Sequence, residues 1–228
     1  MKNLLRAILL SVLAIAGGQR AIPQQPVPPP PKPTDSGPSF AVTMQFIQDK
    51  LNNQGQVGYV TGSTSGPGST NRVLARVSDP VADPAACALR ATKDNDYTTV
   101  ITEGYTSSLT SDDLHSTSVQ SIAASFKEIE KIAVESLQDN FNRQNAEQAH
   151  PEIIDTVTPA VFVLTLSSSK PTISLHSTYT QGKRTPQVTD TIEKEYTFVF
   201  REEETADRVA KAMVHAIELC GGGNKDPF

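Results

Sequence analysis

The stretch EYTFVFREEETADRVAKAMVHAIELCGGG, residues 195–223, decides how this chain is built. Side chains alternate along a strand, so Tyr196, Phe198 and Phe200 share one side of an extended run. Glu202, Glu203 and Glu204 then supply negative charge where a helix N-terminus is partly positive. Ala206, Val209, Ala210, Met213, Ile217 and Cys220 recur as one apolar stripe, while Arg208, Lys211, His215 and Glu218 face away. Gly221 supplies the left-handed position that ends a helix. The stretch predicts a strand, a helix and a stop, with the stripe covering one end of a curved sheet.

Working outward, AVFVLTLS (160–167) is apolar on both faces, which predicts a strand in mid-core. SSKP makes a turn, and TISLHSTY (172–179) alternates Ile173, Leu175, Ser177 and Tyr179 against Thr172, Ser174 and His176. The polar excursion TQGKRTPQVTD leads back to Glu195, so these runs read as an antiparallel meander. Further upstream, QVGYV, NRVLARV, AACALRAT and YTTVITEGY are strand candidates. SDPVADP is a turn-rich break between the second and third, and TGSTSGPGST a loop after the first. Phe40, Met44, Ile47 and Leu51 predict an N-terminal helix. Residues 119–149 fit two readings: Ile122, Phe126, Ile129, Ala133, Leu137 and Phe141 suit a helix face that Ser125 and Glu128 could cap, whereas KIAVES suits a short strand. Periodicity favours the helix. The fold class expected is α+β: an antiparallel, barrel-like sheet closed by the C-terminal amphipathic helix, with an additional N-terminal helix.

Before residue 40 the chain changes character. Lys2 and Arg6 precede the apolar run AILLSVLAIA, too brief to span a bilayer comfortably, so residues 1–21 read as a secretory signal with cleavage near Ala16 or Ala21. Retention as an anchor is the alternative. Residues 22–39, IPQQPVPPPPKPTDSGPS, read as a proline-rich linker, because proline fixes φ and removes amide donors. Residues 40–228 read as a single domain. Losing residues 1–21 removes three cations and moves the net charge from −5 to −8. The remaining basic residues, Arg72, Arg76, Arg90, Lys93, Lys127, Lys131, Lys183 and Arg184 among them, form no patch in sequence. Nucleic acid is therefore not an expected partner, and no transmembrane span is expected in the mature form. A secreted or periplasmic protein is the expectation.

The chain has two cysteines, Cys87 and Cys220. An oxidising compartment permits one pairing. A reactive thiolate favours a helix N-terminus or a nearby cation, whereas Cys220 falls at a helix C-terminus and Cys87 inside the apolar run AACAL. A Cys87–Cys220 disulfide is expected, fastening the last helix to an early strand.

The ending ETADRVAKAMVHAIELCGGGNKDPF, together with SFKEIEKIAVES and HPEIIDTVTPAVFVLTL, is similar to a recurring group of exported bacterial proteins. That resemblance covers most of residues 40–228 and implies no activity. Several strands followed by one closing helix also resemble pleckstrin-homology-like barrels. The loop that would hold a phosphoinositide there is TGSTSGPGST, which carries no charge.

No motif supplies chemistry. Ser167 to Lys170 has S-x-x-K spacing at a hairpin turn, without the partner motifs. GSTSG lacks the central serine of a nucleophile elbow. Asp94-Asn95-Asp96 starts like a calcium loop, but Thr99 and Tyr105 occupy the glycine and glutamate places, so it reads as a polar turn. His115, His150, His176 and His215 stand singly, with His150 between Glu147 and Glu152 the one weak metal candidate. No cofactor or catalytic set is expected. The expected role is a non-enzymatic binding or interaction module for an unknown protein or envelope component. The rivals are an enzyme whose residues converge only in the fold and a structural envelope protein held by an anchor. A pocket lined by convergent ionisable side chains would favour the enzyme.

Overall fold

A computed structural model of the chain describes residues 37–63, 69–101, 114–147 and 155–223. Helix α1 (Phe40–Asn53) starts where the Ser39 hydroxyl accepts from the Val42 amide and buries Met44, Ile47 and Leu51. Strands β1 (Gln56–Ser63), β2 (Ser69–Asp83), β3 (Ala88–Ile101) and β4 (His115–Ser125) follow as antiparallel neighbours. Next come β5 (Lys131–Ser136), α2 (Leu137–Glu147), β6 (Asp155–Thr158), β7 (Phe162–Ser167), β8 (Ile173–Gln181), β9 (Gln187–Glu193), β10 (Glu195–Phe200) and α3 (Glu203–Leu219). The fold is α+β, with two antiparallel sheets ordered β6-β1-β2-β3-β4-β8-β9 and β10-β7-β5.

The barrel expectation is corrected. Each sheet is open, with β6 and β9 at the edges of one and β10 and β5 at the edges of the other, so no closed barrel forms among the described residues. The reason is the route of the chain. After β9 it leaves the large sheet, and β10 pairs with β7 in a second layer, where the meander reading had kept it in the first. Strand β7 is apolar on both faces because both are covered. Leu164 and Leu166 join a core with α1, α3 and the larger sheet, while Val163 joins a second cluster with Val57, Leu137 and Val199.

Three local expectations are also corrected. Residues 121–136 are strand, turn and strand, and helix begins only at Leu137. Ile122 and Phe126 satisfy helical spacing and strand alternation equally. Pairing of β4 with both β3 and β8 settles the competition. The capping serine is Ser136, whose hydroxyl accepts from the Asp139 amide at 3.0 Å, and not Ser125. SDPVADP does not break the chain. Strand β2 runs through it with a bulge between Ser78 and Val81 that accommodates Asp79 at positive φ and Pro80, which has no amide to pair. Gln187–Glu193 is an edge strand and not a polar connection; nearly all of it is exposed, so it has no apolar face to read.

The last helix ends as its sequence predicts. Gly221 has φ +73°, its amide donates to Glu218 O, and the Gly222 amide donates to Ile217 O, the paired bonds of a Schellman motif. The tail then docks on the β4–β5 turn through the Gly223 amide and Ile129 O at 3.1 Å. A Cβ on Gly222 would overlap the Phe126 carbonyl oxygen. Gly222→Ala is therefore expected to cost about 2 kcal/mol by forcing this seam apart. Urea titration checks it, and a midpoint equal to wild type would show that the tail does not need its close approach.

Cys87 and Cys220 form a disulfide, with Cα atoms 5.9 Å apart. It fastens the end of α3 to the turn between β2 and β3, beside the Phe126 amide that donates to Cys87 O at 2.8 Å. Among the described residues no helix is long and apolar enough to cross a membrane.

Candidate functional site

Strand β3 turns Leu89, Ala91, Lys93, Asn95 and Tyr97 to one side, since alternate residues share a face. Leu89 and Ala91 lie in the main core. The other three face a cavity of about 270 Å³. Its floor continues across the register, where Tyr97 stands opposite Val73 and Val73 opposite Tyr59. Its roof is one face of α2, Leu137, Asn140, Phe141 and Gln144, together with Val163, Thr197 and Val199 of the smaller sheet. Asn140 is buried, donating to Glu135 at 2.8 Å and accepting from Gln144 at 3.0 Å. Arg143 bonds the same Glu135 at 3.0 Å and, with Asn140, holds that carboxyl below its ordinary range despite the opposing effect of burial. Arg143 also pairs with Glu147 at 3.2 Å, so its charge is spent on these two carboxylates.

Lys93 is the unusual member. Its ammonium donates to Thr197 O at 3.3 Å and lies 5.1 Å from the centre of the Tyr196 ring. No carboxylate pairs with it among the described residues, and burial lowers its pKa from 10.5 to about 8. Burial also raises the hydroxyls of Tyr59, Tyr97 and Tyr196 above their ordinary value, with neighbouring tyrosines adding to the effect. These three groups stay protonated through the range in which Lys93 titrates. The cavity therefore joins one poorly solvated cation, neutral hydroxyls, amides and an apolar wall. In sequence Lys93 is one of several scattered cations. Reading β3 as one strand from Ala88 would have placed it on the apolar side of the alternation, which is the signal that separates it from the rest.

The outer face of the larger sheet carries a second constellation, in an open trough of about 660 Å³. Ser121 stands opposite His176 and His176 opposite Asp190, on three adjacent strands. His176 Nδ1 is 2.7 Å from Asp190 Oδ1. The order matches a nucleophile, a base and an orienting carboxylate, but the geometry does not. Ser121 Oγ is bonded to Thr92 Oγ1 at 3.3 Å, not to His176, and the Asp190 side chain is 81% exposed. Strands β4 and β8 are paired on both edges, so their amides serve the ladders and leave no oxyanion donors. The row is a cross-strand ladder in water. An apolar groove of about 380 Å³ between α1 and α3 is lined by Val42, Phe46 and Ala212. Its histidine, His215, is bonded to Pro38 O at 3.2 Å.

Other sequence candidates do not converge. Asp94-Asn95-Asp96 is strand interior and not a turn. Asp94 accepts from Ser78 and Asp96 pairs with His115, while Asn95 faces the cavity. Pairing on both sides of β3 overrides the turn preference of these residues. Ser167 bonds Glu195 at the end of β7. His150, Glu152 and most of GSTSG lie outside the described residues. Among the described residues no group of three or more His, Cys, Asp or Glu is placed to hold a metal ion. No family model, curated protein or solved structure matches this chain.

Proposed function

We propose that this is an exported, non-enzymatic binding module that holds a small ligand in the cavity between β3 and α2. The observation that carries the reading is Lys93 meeting Tyr59, Tyr97, Asn95 and Asn140 around one cleft between β3 and α2. Small-molecule sites are concave, mostly apolar and oriented by a few placed polar groups. The cavity has the room of about nine waters at roughly 30 Å³ each. The disulfide and the leader-like first residues support export, and the likeness to exported bacterial proteins belongs to the same proposal.

The lining suits binding better than catalysis. Among the described residues it includes no Asp, Glu, His, Ser or Cys, and its tyrosines are shifted away from ionisation, so Lys93 is the one lining group left to act as a base and nothing pairs with it as an acid. The rival enzyme draws on one observation, that several ionisable groups do converge and that Lys93 is partly free base near neutral pH. Such an amine condenses with carbonyls, releasing water as the imine forms. Faster borohydride trapping of small aldehydes at Lys93 than at surface lysines follows from its lowered pKa under either reading, so turnover separates the two. No turnover of small carbonyl compounds is expected, and turnover that Lys93→Met abolishes would favour the enzyme.

Binding is tested by nuclear magnetic resonance with a panel of small acids, amides, amines and alcohols. The side-chain amides of Asn95, Asn140 and Gln144 are built-in reporters. At least one chemical class is expected to shift them. Shifts confined to the outer trough or the α1–α3 groove would move the site elsewhere.

A further inference from the structure

Building on the binding reading above, we infer that the occupant of the cavity is a small carboxylic acid, its carboxylate meeting Lys93 and its apolar body lying against α2 and β7. The first support is an unmet charge. An ammonium offers three donors, and Lys93 uses one, on a neutral carbonyl, with no anion beside it among the described residues. A partly buried charge left without a counter-ion is costly, so an anion entering the cavity would stabilise it.

The second support is the set of donors around that cation. No bond joins the hydroxyl of Tyr59 or Tyr97 to a protein group among the described residues, and burial keeps both protonated. Both can therefore donate to an oxygen that accepts. The Asn71 side-chain oxygen instead accepts from the Thr99 hydroxyl, and the Asn140 amide donates to Glu135.

The third support sets the rest of the ligand. Val73, Leu137, Phe141, Val163 and Val199 give the lining an apolar side, beside the polar Thr61, Gln144 and Thr197. A single ammonium matches a single negative charge. A phosphate dianion would leave a second charge buried with no cation to face it, and the volume leaves little room for a nucleotide or a sugar chain. The class that fits is a monocarboxylate with a short aliphatic or single-ring body.

The test uses matched pairs that differ only at the head group: phenylacetate with phenylacetamide, and hexanoate with hexanamide. Each is titrated into the disulfide-bonded protein at pH 7 with the cavity amides as reporters. The acid of each pair is expected to bind at least tenfold more tightly than its amide, and Lys93→Met to erase that preference. Groups facing Lys93 are Tyr59, Tyr97 and Tyr196, all neutral here, and beyond Asn140 Arg143 is shared between Glu135 and Glu147. Acid affinity is therefore expected to fall as Lys93 loses its proton, approaching tenfold per pH unit above its pKa in the free protein. Equal binding of acid and amide would overturn the inference while leaving the binding reading intact. Tighter binding of phenyl phosphate than of phenylacetate would overturn the carboxylate class. Failure of every acid and every neutral compound to move the reporters would overturn both.

Discussion

Replacing Cys87 and Cys220 together by serine lowers the stability of the domain by about 5 kcal/mol, the largest loss expected from any exchange considered. The two cysteines are 133 residues apart, and the chain-entropy relation for a loop of that length gives about 5 kcal/mol at 25 °C. A domain's whole stability is only about 5–15 kcal/mol, so this is a large share of it. What remains in the variant is the apolar stripe of α3 and the glycine seam at Ile129 and Phe126. Those contacts keep the helix in place when the chain is folded. The crosslink instead restricts the unfolded chain, so the loss appears in the equilibrium more than in the folded structure. Denaturant midpoints of the native protein with and without reductant measure it directly. If reduction leaves the midpoint unchanged, the bond is dispensable and α3 is held by packing alone.

That bond was legible because two cysteines admit one pairing, and α3 was legible because an apolar stripe at helical spacing has few other uses. Strand β10 was equally plain, with Tyr196, Phe198 and Phe200 on one side of the alternation. The signal failed where period alone carries two meanings. Ile122 and Phe126 are four apart, which suits a helix, and even-spaced, which suits a strand; pairing partners decide, and they are far away in sequence. It failed again where no face is buried, as in Gln187–Glu193. The sheet assignment of β10 could not be read, because alternation shows that a strand has a buried side and says nothing of which neighbour covers it. The cavity lay furthest from view. Tyr59, Lys93, Asn140 and Thr197 come from four elements spread along the chain, and only the register of β1, β2 and β3 and the placement of α2 and β10 bring them together.

Lys93→Met is expected to make the empty protein more stable, by about 3 kcal/mol at pH 7. Methionine has much the length of the lysine stem and no charge. The shift of Lys93 from 10.5 to about 8 corresponds to about 3 kcal/mol, at about 1.36 kcal/mol per pH unit, of penalty carried by the folded state. Because the folded pKa is the lower one, the unfolded chain binds more protons between the two values. The penalty is therefore complete below about pH 8 and lifts as pH rises toward 10.5. Wild type should gain stability over that interval, while Lys93→Met should not. Tyr59, Tyr97 and Tyr196 act in the opposite sense. Their folded values lie above 10.0, so stability falls once the unfolded tyrosines ionise, in both proteins alike. Thermal unfolding across pH 7 to 11 reads both effects. A buried cation that weakens the free protein is what a site for an anion requires, since the ligand supplies the missing charge only on binding. Were Lys93→Met less stable than wild type at pH 7, the lysine would be a structural member of the core, and the case for a ligand at that position would fall with it.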